Sequence, residues 1–459
     1  MLDELAKLDE NQKDAALYLD NALVIAGAGS GKTTTIIAKL NYLIKMKHYL
    51  PEEILVISFT NESVNDLKKK IHYNMDVKTF HKLAIDLIDE PNIKIAAESY
   101  LEYIINEYFS SYAKENRQIE RIIKKLSRTT TEDNIKRLIK TFINLYKANK
   151  TGIRPLFRIY QRAFFTNRAY LRIILDIYLV YLRELEASGL LDFNDMITHT
   201  TTLVKNNKIK TKYKFIVIDE FQDTSLTRFK LILSILEQNN GKIFVVGDDY
   251  QSIYRFSGCD LAIFLNMKKY VPNIKRLFLK HNYRNNQSLV NVANQFILRN
   301  KYQIKKNTVC HKDTEKPIVI CFYVDKEAVM HKISDFINGK ILVLGRNNRD
   351  KEQFKVVEDD RIRFLTIHRA KGLEEDNVIL VNLENWHLGF PSQIKNEKLI
   401  AKVLKKDYLI YEEERRLMYV ALTRTRNKIY LLVPKNNYSV FIKELIWKHK
   451  KNLEFIEVD

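Results

Sequence analysis

Three cysteines in 459 residues, Cys259, Cys310 and Cys321, are too few and too scattered for a disulfide framework or a paired-cysteine metal site, so a reducing compartment is expected. Proline (7) and glycine (12) are also sparse, which removes collagen-like, low-complexity and long disordered readings. No apolar run approaches the roughly 20 residues that span a bilayer. The opening MLDELAKLDENQ has no basic n-region and no apolar stretch, so no secretory signal is expected. A soluble, intracellular chain with no membrane partner follows. Acid is scarce as well: 56 Asp and Glu face 76 Lys and Arg, a formal net charge of +20. That excess suits a polyanionic partner, nucleic acid before anionic membrane, although a merely solvated lysine-rich surface gives the same total.

What is present is an ordinary globular composition, 46% apolar and 29% charged, at a length that suggests about three domains. Short runs rich in Val and Ile recur at 22–26, 54–59, 215–219, 242–247, 317–322, 341–345, 377–381 and 428–433. They are apolar at nearly every position, as in strands of a parallel sheet covered on both faces. Helical patterns lie between them at 62–73, 286–299 and 412–425, so the fold class is α/β. From about 92 to 190 the strand signal stops and apolar residues fall at helical spacing (Leu138, Ile139, Phe142, Ile143, Tyr146). Residues 112–190 carry 17 Lys or Arg against 7 Asp or Glu, half of the chain's net charge. Pro272-Asn273 suggests a second boundary. The expected division is a first core of 1–91 plus 189–273, a basic helical insertion of 92–188, and a second core of 274–459.

Ala26, Gly27, Ala28, Gly29, Ser30, Gly31, Lys32 and Thr33 follow one strand and precede a helix, the context of a phosphate-binding loop. Glycines let the backbone curl so that amides face phosphate oxygens, and the helix N-terminus adds positive potential. Lys32 would reach the β- and γ-phosphates and Thr33 would ligate Mg²⁺. The strict pattern has Gly where this chain has Ala26. The strand 215–219 ends in Asp219-Glu220. Asp219 would hold Mg²⁺ and Glu220 would act as general base on the attacking water. About 190 residues separate the two elements, so a domain-sized insertion lies between them. The segment 247–258, GDDYQSIYRFSG, offers an amide, Gln251, to sense a γ-phosphate, and Tyr254 and Phe256 two apart, able either to stack on bases or to pack in a core.

In order along the chain stand Asn11-Gln12, AGAGSGKT (26–33), SFTN (58–61), TFH (79–81), VIDEFQDT (217–224), GDDYQSIYRFSG (247–258), NYR (282–284), TIHRAKGLE (366–374) and EEERRLMYVALTRTR (412–426). This series resembles superfamily 1A helicases of the UvrD/Rep type. Helicase IV-like members are nearest in pattern, given DDYQSIYRF, the GFPS at 389–392 and the DFNDMI at 192–197. The resemblance implies two RecA-like P-loop domains with ATP between them and a helical 1B-type insertion in the first. It implies that Gln12 reads the adenine edge, Tyr283 stacks on the adenine, and Arg284 contacts the γ-phosphate. Glu374 would hold the ribose and Arg424 would be an arginine finger. Thr60, Asn61, His81, Tyr254, Phe256 and His368 would contact single-stranded DNA.

Three departures stand out. Thr34 replaces an Arg that many relatives carry after the phosphate loop, and Phe256 replaces a common Trp. Only about 15 residues join Asp350 to Thr366, where the family usually carries its 2B-type domain, so that domain is expected to be absent or vestigial. The expected function is an ATP- and Mg²⁺-dependent 3′→5′ DNA helicase or translocase acting on single strands and single-strand/duplex junctions. Replication or repair proteins are open as partners. A translocase that strips proteins with little unwinding shares every motif, and a non-hydrolysing DNA-binding scaffold would require damage to Lys32, Glu220 or Arg424 that is not seen.

Overall fold

The computed structural model describes residues 5–88, 94–128, 130–150, 152–312, 316–393, 399–403 and 411–458. The expected insertion start at 92 lies outside them. The first eight strands are β1 (Ala22–Ala26), β2 (Ile54–Ile57), β3 (Asp76–Lys78), β4 (Lys94–Ile95), β5 (Leu190–Leu191), β6 (Phe215–Ile218), β7 (Lys242–Gly247) and β8 (Lys275–Leu279). Six of them form one parallel sheet in the order β3-β2-β6-β7-β1-β8. β1, β2 and β6 are buried at every residue, which is why their sequences are unbroken apolar runs. The side chains alternate between two cores. Leu23, Ile25 and Ile57 pack on one face, and Ala22, Val24 and Val56 on the other.

The next two strands, β9 (His281–Asn286) and β10 (Val309–Lys312), pair only with each other. The second large sheet is built from β11 (Ile318–Tyr323), β12 (Ile341–Gly345), β13 (Ile362–Thr366), β14 (Glu375–Leu380), β15 (Thr425–Pro434) and β16 (Leu453–Val458). It too is parallel throughout, in the order β13-β12-β14-β15-β11-β16. The α/β reading with two parallel-sheet cores therefore holds. The boundary drawn at 273 does not match the sheets. β8 pairs with β1 from Ala22 to Ala26, so residues 275–279 complete the first sheet. Pro272-Asn273 is a turn into an edge strand whose outer residues, Lys275 and Arg276, are exposed. Its half-polar sequence hid it.

Between β4 and β5, which form a two-residue parallel pair, the described chain is helical. The helices Glu132–Asn149 and Phe165–Ala187 supply most of a separate core, with Ile139, Phe142 and Ile143 against Leu171, Ile174 and Ile177. Leu399 and Val403, from the second half of the chain, are buried in the same cluster. The insertion is stitched to the first core by Lys147, 4% exposed, whose Nζ lies 2.5 Å from carboxylates of both Asp192 and Asp195. In the second core, helix Arg349–Gln353 and β13 are separated only by residues 354–361, so no domain is inserted there.

Candidate active site

The phosphate loop connects β1 to the helix Lys32–Lys47 at the carboxyl edge of the first sheet, the usual ligand position of such sheets. Gly29 and Gly31 have φ of +68° and +77°, a left-handed backbone that L side chains resist. Ser30 Oγ donates to Gly27 O (2.9 Å) and braces the curl. Gln12 is buried, and its Nε2 donates to Ser30 O (3.1 Å). It is fixed by a capping box with Asp9 at the start of helix Glu10–Leu17. Strand β9 lies over the loop from the other side. Asn282 Nδ2 donates to Ala28 O and the Tyr283 amide donates to Gly29 O, each at 2.8 Å. Tyr283 is 45% exposed, and its hydroxyl donates to Asp9 (2.7 Å). Gln12, the loop and Tyr283 thus stand together at one end of the cleft.

At the other end, Lys32 forms an ion pair with Glu220, whose second carboxylate oxygen accepts from Gln222. Glu220 itself sits at φ +50°, a strained backbone for a non-glycine residue. Lys371 reaches across from the second core, pairing with Asp223, donating to Gln251 O (2.8 Å) and lying 3.7 Å from Glu220. Burial works against ionisation of Glu220, but Lys32 and Lys371 outweigh it and hold the carboxyl below the usual range. Burial, then the neighbouring Glu220 charge, pushes Asp219 up to about 6. The adjacent carboxyls of Asp219 and Glu220, with the Thr33 hydroxyl at the helix start, form a hard-oxygen set that suits Mg²⁺. Among the described residues no cluster of three or more His, Cys, Asp or Glu would hold an ion unaided. The cation would have to share phosphate and water oxygens. Thr34 is exposed beside the loop.

The second core contributes arginines. Arg424 is 1% exposed; it donates to Leu373 O (3.2 Å) and lies 3.4 Å from Gln251 Oε1. Burial, then the charge of Arg284, pulls its guanidinium down to about 9. Arg284 pairs with Glu374 and donates to Thr423 O (3.3 Å). Glu374 also meets Arg426 at 2.9 Å. The proposed ribose ligand is thus engaged by two arginines.

Of the residues expected to touch a nucleic-acid strand, Tyr254, Phe256 and His368 fall along one run of rings. Tyr254 stacks on Phe59 (5.5 Å, 18°) and donates to His368 O (2.9 Å). Phe256, 58% exposed, stands edge-on to His368. Arg228 lies over the far side of this run, 5.2 Å from the Phe59 ring, and near His81, which packs on Phe193. Thr60 caps the helix Asn61–Lys70, and Asn61 is exposed at its first position. Phe59, Arg228, Asp223, Lys371, Gln222 and Arg426 were not singled out from the sequence. All but Arg228 lie within or beside motifs already quoted, but side-chain chemistry alone gave them no partner.

Two parallel-sheet cores that share one phosphate loop, with arginines entering from the second core, define a two-core P-loop nucleotide hydrolase. The models of the UvrD/REP helicase N-terminal domain and the UvrD-like helicase C-terminal domain match residues 8–272 and 324–436. The chain belongs to the UvrD/Rep helicase family. It is 28% identical to DNA helicase IV of Escherichia coli over 94% of this chain and 68% of that protein. Identity is 30% to the ATP-dependent DNA helicase Rep of Buchnera aphidicola subsp. Baizongia pistaciae, over 66% of this chain and 45% of that one. Against the ATP-dependent DNA helicase PcrA of Bacillus subtilis it is 27%, over 81% and 49%. The chain spans about half the length of the Rep and PcrA relatives.

Proposed function

We propose that this chain is an ATP-driven motor that moves 3′→5′ along single-stranded DNA and separates duplexes at single-strand/duplex junctions. The observation that carries the reading is the meeting of Arg424 and Gln251 across the cleft, because closure on a γ-phosphate then requires both cores at once. Lys32 neutralises the β- and γ-phosphates, Glu220 takes the proton of the attacking water, and Arg284 and Arg424 meet the developing charge. Mg²⁺, held by Thr33 and Asp219, would supply Lewis-acid stabilisation when bound. Tyr254 and Phe256 provide stacking faces, and Tyr254 is tied by its hydroxyl to the second-core backbone at His368. Opening and closing of the cleft therefore shifts the two halves of the strand track. The test is ATPase rate with single-stranded DNA, duplex and RNA, together with strand displacement from 3′- and 5′-tailed duplexes. Turnover that ignores single-stranded DNA, or displacement from 5′ tails alone, refutes the proposal.

A second reading concerns processivity. Because only residues 354–361 stand where relatives carry an arm, duplex grip falls to the helical insertion, and long duplexes are expected to be unwound poorly. Single-turnover unwinding against duplex length, with a protein trap, tests this; efficient unwinding of long duplexes by the monomer overturns it.

A further inference from the structure

Lys306 has no place in the functions described so far. It lies in the loop between helix Gln287–Ile297 and β10, where its neighbours Lys305 and Asn307 are exposed. Lys306 is only 9% exposed. Its Nζ pairs with Asp248, lies 2.6 Å from Asp249 Oδ1 and sits 3.4 Å from the centre of the Tyr250 ring. Asp248 and Asp249 are fully buried. The same loop binds Asp249 a second way, through Gln303 Nε2 and the Ile304 amide, both at 2.7 Å. A buried cation on two buried carboxylates is costly unless the geometry serves something.

What it serves is the orientation of Gln251. Asp248 Oδ2 accepts from Gln251 Nε2 at 2.6 Å, which leaves Gln251 Oε1 facing Arg424. An ionised carboxylate only accepts hydrogen bonds, so it selects the NH₂ end of the amide. A carboxylate swung away from this position would leave the amide free to flip and present NH₂ to a guanidinium. The backbone amide of Asp248 also donates to Gln222 Oε1 (2.9 Å), and Gln222 holds Glu220. We infer that Lys306 is a positioning residue for ATP hydrolysis: it anchors the Asp248 carboxylate, and Asp248 sets the Gln251 amide toward Arg424.

The inference rests on the proposed ATP hydrolysis at this cleft, and a double-mutant cycle on the full chain with single-stranded DNA present separates the two. Gln251→Ala should lower kcat. Lys306→Met should lower kcat about tenfold, a common scale for losing a supporting partner, with the KM for ATP within about twofold. In the Gln251→Ala background, Lys306→Met should add little, because its route of action is gone. Lys306→Met/Asp249→Asn removes one charge of each sign and keeps the net charge of the cluster. It should melt like wild type and still lose kcat. An equal kcat loss from Lys306→Met with and without Gln251, or no loss in the charge-balanced variant, overturns the inference. Wild-type protein without DNA-stimulated turnover would instead sink the proposed function itself.

Discussion

Gly29→Ala tests whether strand β9 rides on the phosphate loop. A Cβ at this position would lie 2.6 Å from Arg284 Cβ and 2.8 Å from Asn282 Oδ1. Neither atom yields easily. Arg284 Cβ moves only with its backbone, and Asn282 Oδ1 is held by the amides of Arg284 (2.9 Å) and Asn285 (2.8 Å). The left-handed backbone adds about 1–2 kcal/mol for any L side chain. If β9 lifts, the Tyr283 amide loses Gly29 O, about 1 kcal/mol more. The sum, about 2–3 kcal/mol, corresponds to a loss of roughly 30-fold to 140-fold in the population of the intact loop. The assay is kcat/KM for ATP with single-stranded DNA, alongside a thermal melt. Gly27→Ala is the control, since the nearest atom to its Cβ is the Tyr419 hydroxyl at 4.0 Å, and it should melt like wild type. Gly29→Ala turning over ATP as wild type does would refute the reasoning.

Lys32→Ala should lower turnover by about a hundredfold or more at an unchanged circular dichroism spectrum; near-normal DNA-stimulated ATPase would remove Lys32 from the chemistry. Arg424→Ala should lower kcat more than it weakens ATP binding, and a collapse of affinity at intact kcat would contradict the finger role. Charge reversals at the exposed Arg154, Arg158, Arg162 and Arg168 should flatten the salt dependence of single-strand binding, and an unchanged slope would return them to solvated surface. Burial lowers both His81 and His368 from the ordinary 6.5 to about 4. Their contribution to stability is complete above about 6.5 and drains as pH falls toward about 4. The melting temperature of His81→Gln/His368→Gln should therefore drop less than that of wild type between pH 7.5 and 5.0, and an equal drop would count against it.

Much of this architecture was legible because parallel strands buried on both faces leave unbroken apolar runs, as in Leu23-Val24-Ile25 and Ile216-Val217-Ile218. The phosphate loop and Asp219-Glu220 were readable because their chemistry tolerates few residue types. Edge strands were not readable. β8 and β16 each have exposed positions that break the apolar pattern, and β3 is only three residues long. Partners across the cleft were hidden for another reason. Lys371 with Asp223, or Lys306 with Asp248, are pairs far apart in sequence, and nothing local marks a lysine as buried.

β8 ends at Leu279 and β9 begins at His281, so Lys280 alone joins the last strand of the first sheet to the strand that opens the second half. One residue leaves no slack for the halves to part or slide. They can swivel. The burial of Leu399 and Val403 in the insertion, itself riveted to the first core through Lys147, supplies a second point of attachment. Under the motor reading proposed above, closure of the cleft would be taken up as rotation about these attachments rather than as a gap, and the step along a strand would scale with the distance of the ring track from them.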